Sequence, residues 1–169
     1  MGHKDHKEKA KNIVKCFIIT VSDSRTPQTD ESGKAISELL KINNHEVVGH
    51  VILKDEPKIV QDFVKTESLE EDVQAIIVNG GTGISSRDST FEAIDGALEK
   101  KLPGFGELFR YLSYKEIGSA AIMSRAGAGV LNKKIIVSIP GSENAVRLAM
   151  EKLILPELAH MVWEVKLQC

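Results

Sequence analysis

The sequence predicts an α/β domain with a mostly parallel sheet and helices on both faces. Three observations predict it. Apolar, β-branched runs of strand length recur along the chain. Stretches with apolar residues at helical spacing alternate with them. The length, 169 residues at 42% hydrophobic and 27% charged, is that of an ordinary globular chain with room for one core.

The elements follow in order. "CFIITVS" (16–22) is a continuous apolar run that stops at polar residues, which suits a strand buried on both faces. Ala35, Ile36, Leu39 and Leu40 then repeat at helical spacing. "EVVGHVIL" (46–53) reads as the second strand, and Asp55 after it is a plausible N-cap for the next helix. That helix carries Ile59, Val60, Phe63 and Val64, with Pro57 in its first turn. "VQAIIVN" (73–79) is the third strand. Ser89-x-x-Glu92 forms a capping box for a helix with Phe91, Ile94 and Leu98. A further helix is expected over 105–116. "AAIMSRAGAGVLNK" (120–133) has strand-like ends around a glycine-rich middle and reads as a hairpin at one side of the sheet. "KKIIVSIP" (133–140) is another strand, Ser142 caps a helix with Val146 and Ala149, and Pro156 starts the last one.

Residues 14–169 are expected to form a single domain. Over the first fifteen residues, Lys4, Lys7, Lys9, Lys11 and Lys15 stand against only Asp5 and Glu8, with no apolar periodicity, so residues 1–13 read as a flexible basic tail. A net charge of −2 argues against a protein that mainly neutralises nucleic-acid backbone. No apolar run is long enough to span a bilayer, no signal-peptide core follows Met1, and His6 spoils a myristoylation motif at Gly2. Cys16, in an apolar run, and Cys169 are too few for a disulfide framework, so the expected compartment is the reducing cytoplasm.

In open α/β sheets, ligands bind beyond the carboxyl ends of the strands. Three segments collect there: "SDSRTPQTD", "GGTGISSRDS" and "PGSEN". Each leads into a helix N-terminus, with unpaired N–H groups and partial positive charge, so the expected ligand is an anion, chiefly a phosphate. Gly80, Gly81 and Gly83 permit close backbone approach and positive φ, and Thr82 adds a hydroxyl. The stretch is neither a Rossmann fingerprint, because Ser86 stands where the third glycine belongs, nor a P-loop, because Gly33-Lys34 lacks the earlier glycine. A glycine-rich turn alone reads equally as a tight connection.

Arg87-Asp88 adds chemistry. Arginine clamps phosphate through its planar fork, and a carboxylate beside a phosphate makes sense with Mg²⁺ between them. A surface ion pair and an acid stabilised at a helix start are the bland alternatives, and the residues alone leave the choice open. Asp55 brings a second carboxylate to the same sheet edge, and two acids with a phosphate cradle are ingredients of Mg²⁺-assisted phosphoryl or nucleotidyl transfer. Ser124 and Arg125 offer a hydroxyl and another cation, or simply a polar turn. Pro140-Gly141-Ser142 caps a helix or sets N–H groups against a phosphate or base. The histidines at 3, 6, 45, 50 and 160 have no metal-ligand spacing.

Taken together, "TVSD", "LKDE", "GGTGISSRD", "PGFGELFR", "SRAGAGV" and "PGSENAV" resemble, in order and spacing, the MoaB/MogA family of molybdenum-cofactor biosynthesis over roughly residues 14–165. "FRYLSYKEIGSAAIMSRAGAGVLNK" is similar to the MoaB branch. The resemblance implies a three-layer α/β/α sandwich and an activity: adenylylation of molybdopterin by ATP with Mg²⁺, releasing pyrophosphate. It implies Asp88 and Asp55 as the acids that act in catalysis and hold the metal. It further implies Gly80, Gly81, Thr82, Gly83, Arg87, Ser22, Asp23, Ser124 and Arg125 on the pterin substrate, and Gly141, Ser142 and Asn144 on the nucleotide. Trimers or hexamers, and a separate molybdenum-insertion partner, are also implied. Two comparisons within the family bear on activity. Phe91 stands where many members have proline, with a small effect expected at a helix start. The chain keeps both Arg87 and Asp88, where some MoaB-branch members have lost the arginine. A pterin carrier without catalysis, and a nucleotide-binding protein unrelated to molybdenum, are the competing functions.

Overall fold

A computed structural model describes residues 13–167. The predicted basic tail and Cys169 lie outside them, apart from Ile13 at the tail's end. Six strands form one sheet in the order β2-β1-β3-β6-β5-β4. Strands β1 (Lys15–Val21), β2 (Glu46–Leu53), β3 (Ala75–Asn79) and β6 (Lys134–Ile139) run parallel, while β5 (Gly127–Leu131) is antiparallel to both β6 and the short β4 (Lys100–Lys101). The sheet is therefore mixed but mostly parallel, and helices cover both faces.

Alternation along each central strand decides which residues meet which layer. Cys16, Ile18, Ala75, Ile77, Ile135, Val137 and Ile139 share one cluster with α1 (Glu31–Ile42), α4 (Pro103–Ile117) and the C-terminal helices. Ile19, Val21, Ile76, Val78 and Ile136 share the other with α2 (Pro57–Glu67) and α3 (Thr90–Ala97). Both faces are apolar, which is why the parallel strands read as unbroken hydrophobic runs. Cys16 is fully buried, and burial pushes its thiol up to about 12. The last helices, α5 (Glu143–Ala149) and α6 (Leu155–Lys166), are joined without a break by a π-helical turn (Met150–Ile154) just ahead of Pro156. Proline has no N–H for the regular ladder, and a wider turn absorbs the loss.

Three local expectations change. The hairpin lies one strand later than 120–133 suggested. Residues Gly118–Met123 form a 3₁₀ turn, and the hairpin proper joins β5 to β6 through Asn132 and Lys133, both at positive φ. Asp55 does not cap α2: Glu56 occupies the N-cap position and makes no capping bond. Ser89 sits at the N-cap of α3 but makes no capping bond either, and Glu92 turns to Arg125 instead of closing a box. Both departures occur at the C-terminal edge of the sheet, where side chains have been drawn into the site.

Candidate functional site

The ends of β1, β3 and β6 bring three loops together. Gly80 N–H donates to Ile139 O at 3.0 Å, joining the GGTG loop to the loop after β6. At Gly80 φ is +101° and a Cβ would stand 2.2 Å from Val21 O; at Gly141 a Cβ would stand 3.0 Å from the Gly80 Cα. Only side-chain-free backbone fits this crossing. The result is a cavity of about 450 Å³. Ser22, Gly80, Gly81, Thr82, Gly83, Asp88, Ser124 and Gly141 all line it, so eight of the residues the sequence singled out converge on one space. Arg25, Ser24, Ala120 and Met123 complete much of the wall.

The two acids flank the loop. Asp88 lies against Gly83, whose Cβ position is 2.6 Å from Asp88 Oδ2, and that oxygen accepts the Ser85 hydroxyl at 2.5 Å. Asp55 is buried behind the loop. Its Oδ1 accepts from Ser89 N at 3.3 Å, Ser89 Oγ at 3.0 Å and Thr90 Oγ1 at 3.2 Å, while Oδ2 stands 2.5 Å from where a Gly81 Cβ would be. The Asp55 carboxylate thus satisfies the start of α3 from another loop, doing for the orphan N–H what a local cap does elsewhere. Among the described residues, no group of three or more His, Cys, Asp or Glu side chains could hold a metal on its own.

The two arginines picked out by the sequence are engaged within the protein. Arg87 forks onto Asp23, Nε to Oδ2 at 2.6 Å and Nη2 to Oδ1 at 3.0 Å, and that contact holds the Asp23 carboxyl below the usual carboxylate range. The pair ties the loop after β1 to the loop after β3. Arg125 grips the GGTG loop by its carbonyls: Nε donates to Thr82 O at 2.9 Å and Nη2 to Gly83 O at 2.6 Å. Its guanidinium also bonds Glu92 and lies 5.1 Å from the centre of the Phe91 ring. Because peptide N–H and C=O point oppositely, the N–H groups of Gly83 and Ile84 face away from Arg125. Ser142 caps α5 by accepting from Ala145 N at 3.3 Å, and Asn144 is exposed on that helix; neither lines the cavity.

Sequence reasoning missed Arg25. Its Nη2 donates to Gly141 O at 2.7 Å, and Nη1 is 3.5 Å from Asp30 Oδ1. The available signal was a cation three residues past the first strand, inside a segment already assigned to the binding edge. It also missed the buried network behind it, in which Asp30 Oδ2 accepts from Thr20 Oγ1 at 2.6 Å and lies 3.0 Å from His50 Nε2.

Comparison with known proteins gives one answer. The family model described as a probable molybdopterin binding domain matches residues 17–160. Molybdenum cofactor biosynthesis protein B of Bacillus subtilis is 52% identical over 167 residues, 98% of both chains. The Staphylococcus aureus (strain MRSA252) protein of the same name is 51% identical over 159 residues, 92% of this chain and 94% of that one. Among solved structures, a crystal structure of molybdenum cofactor biosynthesis protein B has a TM-score of 0.91 at 49% identity, covering 94% of this chain and 99% of that one. The tungsten cofactor synthesizing protein MoaB of Pyrococcus furiosus has a TM-score of 0.80 at 34% identity, covering 92% and 98%.

Proposed function

The chain belongs to the MoaB/MogA family of molybdenum cofactor biosynthesis proteins, and from that membership we propose that it adenylylates molybdopterin with Mg-ATP. The observation that carries the reading is the convergence of the GGTG loop, Asp88 and the loop after β6 on one cavity at the carboxyl edge of the sheet. A terminal phosphate oxygen of molybdopterin attacks the α-phosphorus of ATP. The new P–O bond forms as the bond to the β-phosphate breaks, and pyrophosphate leaves. Such transfer asks little covalent chemistry of a protein and much positioning and charge stabilisation.

The chain's residues divide that work. Gly80, whose own N–H is taken by Ile139 O, sets the turn of the loop, and Gly81, Thr82 and Gly83 hold the pterin-linked phosphate against backbone N–H groups, with Ser22 and Ser124 on the same wall. Gly141 leaves room on the nucleotide side, beside Ser142 and Asn144 at the start of α5. Arg87 and Asp23 act on the substrate as a clamped pair that joins two loops. Mg²⁺ needs only one or two carboxylates when substrate phosphates supply further oxygens. Asp88 fits that part as an acid on the cavity wall; Asp55, with Oδ1 already accepting three donors, fits as the group that sets the loop and offers Oδ2. When bound, the ion neutralises charge on the reacting phosphates.

The same reading has the chain working in the cytoplasm as a trimer or hexamer and passing its product to a separate molybdenum-insertion protein. Light scattering of the purified chain measures the assembly size. No helix among the described residues is long and apolar enough to cross a membrane.

The deciding experiment mixes the full chain with freshly prepared molybdopterin and Mg-ATP and follows pyrophosphate, with a pterin-free control. The expected result is release that requires pterin and is lost in Asp88→Asn. Pterin binding without any release would instead make the chain a carrier, and ATP binding without affinity for pterin would place it outside the pathway chemistry.

A further inference from the structure

Three arginines stand at the binding edge, and two have their forks filled by the protein: Arg87 by Asp23, and Arg125 by the carbonyls of Thr82 and Gly83 and the carboxylate of Glu92. The third lines the cavity itself. We propose that Arg25 is the phosphate-binding arginine of this site, placed where the two substrates' phosphates meet. The inference deepens the adenylyl-transfer reading and rests on it for the identity of those substrates.

Its geometry is that of a fixed anion clamp. The Arg25 backbone N–H donates to Ser22 Oγ at 3.0 Å, which sets the turn that carries the side chain. Nη2 is anchored on Gly141 O at 2.7 Å and Nη1 faces Asp30 Oδ1 at 3.5 Å. Asp30 is itself held on several sides: it is buried, it caps α1 by accepting from Gly33 N at 2.9 Å, and it accepts from Thr20 Oγ1. A guanidinium held from behind loses little freedom on binding, and its fork has further N–H donors beyond these two contacts. The Asp30 carboxylate is divided among several donors, so it fixes Arg25 without monopolising its charge. The space in front is open because the nearest backbone carries no side chain: a Cβ at Gly141 would sit 3.7 Å from Arg25 Nη1 and 3.0 Å from the Gly80 Cα.

A second cavity, of about 550 Å³, lies on the other side of the same residue. Lys34 and Lys54 line it together with His50, Pro27 and Ile52, a mixture of two cations, an imidazole and apolar surface that suits a ring-bearing phosphate. Ser22 and Arg25 line both spaces. A transfer between two phosphorylated molecules needs a cation that touches both, and the shared wall is where one can.

The test uses the full chain and inorganic pyrophosphate or ATP as titrant, by calorimetry at two salt concentrations, together with the pterin-dependent turnover assay. Arg25→Gln is expected to weaken pyrophosphate and ATP binding roughly 10- to 100-fold and to flatten the salt dependence, since a direct charge-assisted contact is lost. Arg25→Lys keeps the charge but not the fork, and recovers binding only in part. A merely structural arginine would lower the thermal midpoint while leaving affinity and salt dependence of the folded fraction unchanged, and that result would overturn the proposal. If Arg25→Gln does not fold, Arg25→Lys decides it: a folded lysine variant with wild-type affinity and salt dependence counts against Arg25. A wild-type chain that binds neither titrant also overturns it. Turnover of pterin that survives in Arg25→Gln at wild-type KM would sink this inference and leave adenylyl transfer standing; loss of anion binding in the variant, with no turnover in the wild type, would do the reverse.

Discussion

The carboxylate of Asp55 accepts the hydroxyl of Ser89 at 3.0 Å, and so reaches from the end of β2 to the first turn of α3. The same oxygen takes Ser89 N and Thr90 Oγ1. Helix α3 is therefore capped by a residue from a different loop, and the GGTG loop is trapped between the helix and the acid that caps it. Asp55→Ala leaves those donors without partners in a buried place and is expected to cost about 1–3 kcal/mol of unfolding free energy, read by urea denaturation. Asp55→Asn keeps an acceptor oxygen and is expected to lose less. If the asparagine variant is as stable as wild type yet inactive in adenylyl transfer, Asp55 acts on the substrate or its metal as well as on the helix.

Gly81 depends on the same contact. Its φ is +65°, and a Cβ there would lie 2.1 Å from Thr90 Oγ1 and 2.5 Å from Asp55 Oδ2. Gly81→Ala must strain the backbone and dislodge the cap of α3, so a loss of at least about 1 kcal/mol is expected, together with turnover. Gly104 is the control. It lies in the first turn of α4, and a Cβ there meets nothing within 4 Å. Gly104→Ala should raise stability, by about 0.5–1 kcal/mol, because it removes freedom from the unfolded chain and favours helix. Opposite signs in the two melting curves are the expected outcome, and equal losses would show that the loop glycine is not special.

These sites explain what sequence could and could not say. The central strands were legible because burial on both faces writes itself as an unbroken apolar run, as in Ile76–Val78 of β3. The convergence of Gly80, Gly83 and Asp88 on one edge was legible because parallel strands send all their following loops to the same side. The capping box at Ser89 failed because capping is local chemistry that long-range partners can outbid: Asp55 takes the serine and Arg125 takes Glu92. The partners of Arg87 and Arg125 were illegible for the same reason, since Asp23 and the Thr82 carbonyl are distant in sequence and close only once the loops are folded. The short β4 has no apolar signal, only two exposed lysines at the sheet edge.

His45 makes stability depend on pH. Its Nδ1 accepts the Val14 N–H at 3.2 Å, which requires that nitrogen to be unprotonated, and burial lowers the imidazole's proton affinity below its ordinary value of 6.5. Between the lowered folded value and the ordinary unfolded one, the unfolded chain binds more protons than the folded chain, so stability rises with pH across that window. The contribution is present above about pH 6.5 and is lost as pH falls through the folded value. Thermal melts taken from pH 7 downward should show a decline in the wild type that is shallower in His45→Ala. Parallel curves would remove His45 as the cause.

The fork between Arg87 and Asp23 carries the sharpest test of how the two loops serve the substrate. Both side chains are substantially exposed, so water screens the pair and it contributes little to global stability. Its work is local: it fixes the loop after β3, which bears Asp88, relative to the loop after β1, which bears Ser22. Arg87→Asp puts two carboxylates face to face, opens the loops and should abolish most pterin-dependent pyrophosphate release while barely moving the melting temperature. Exchanging the partners, Asp23→Arg with Arg87→Asp, rebuilds the ion pair in reverse. If the two residues act as a clamp, the exchanged chain recovers much of the lost turnover. If Arg87 instead meets a phosphate directly, the exchange sets an acid where a cation is needed, and turnover stays as low as in the single variant.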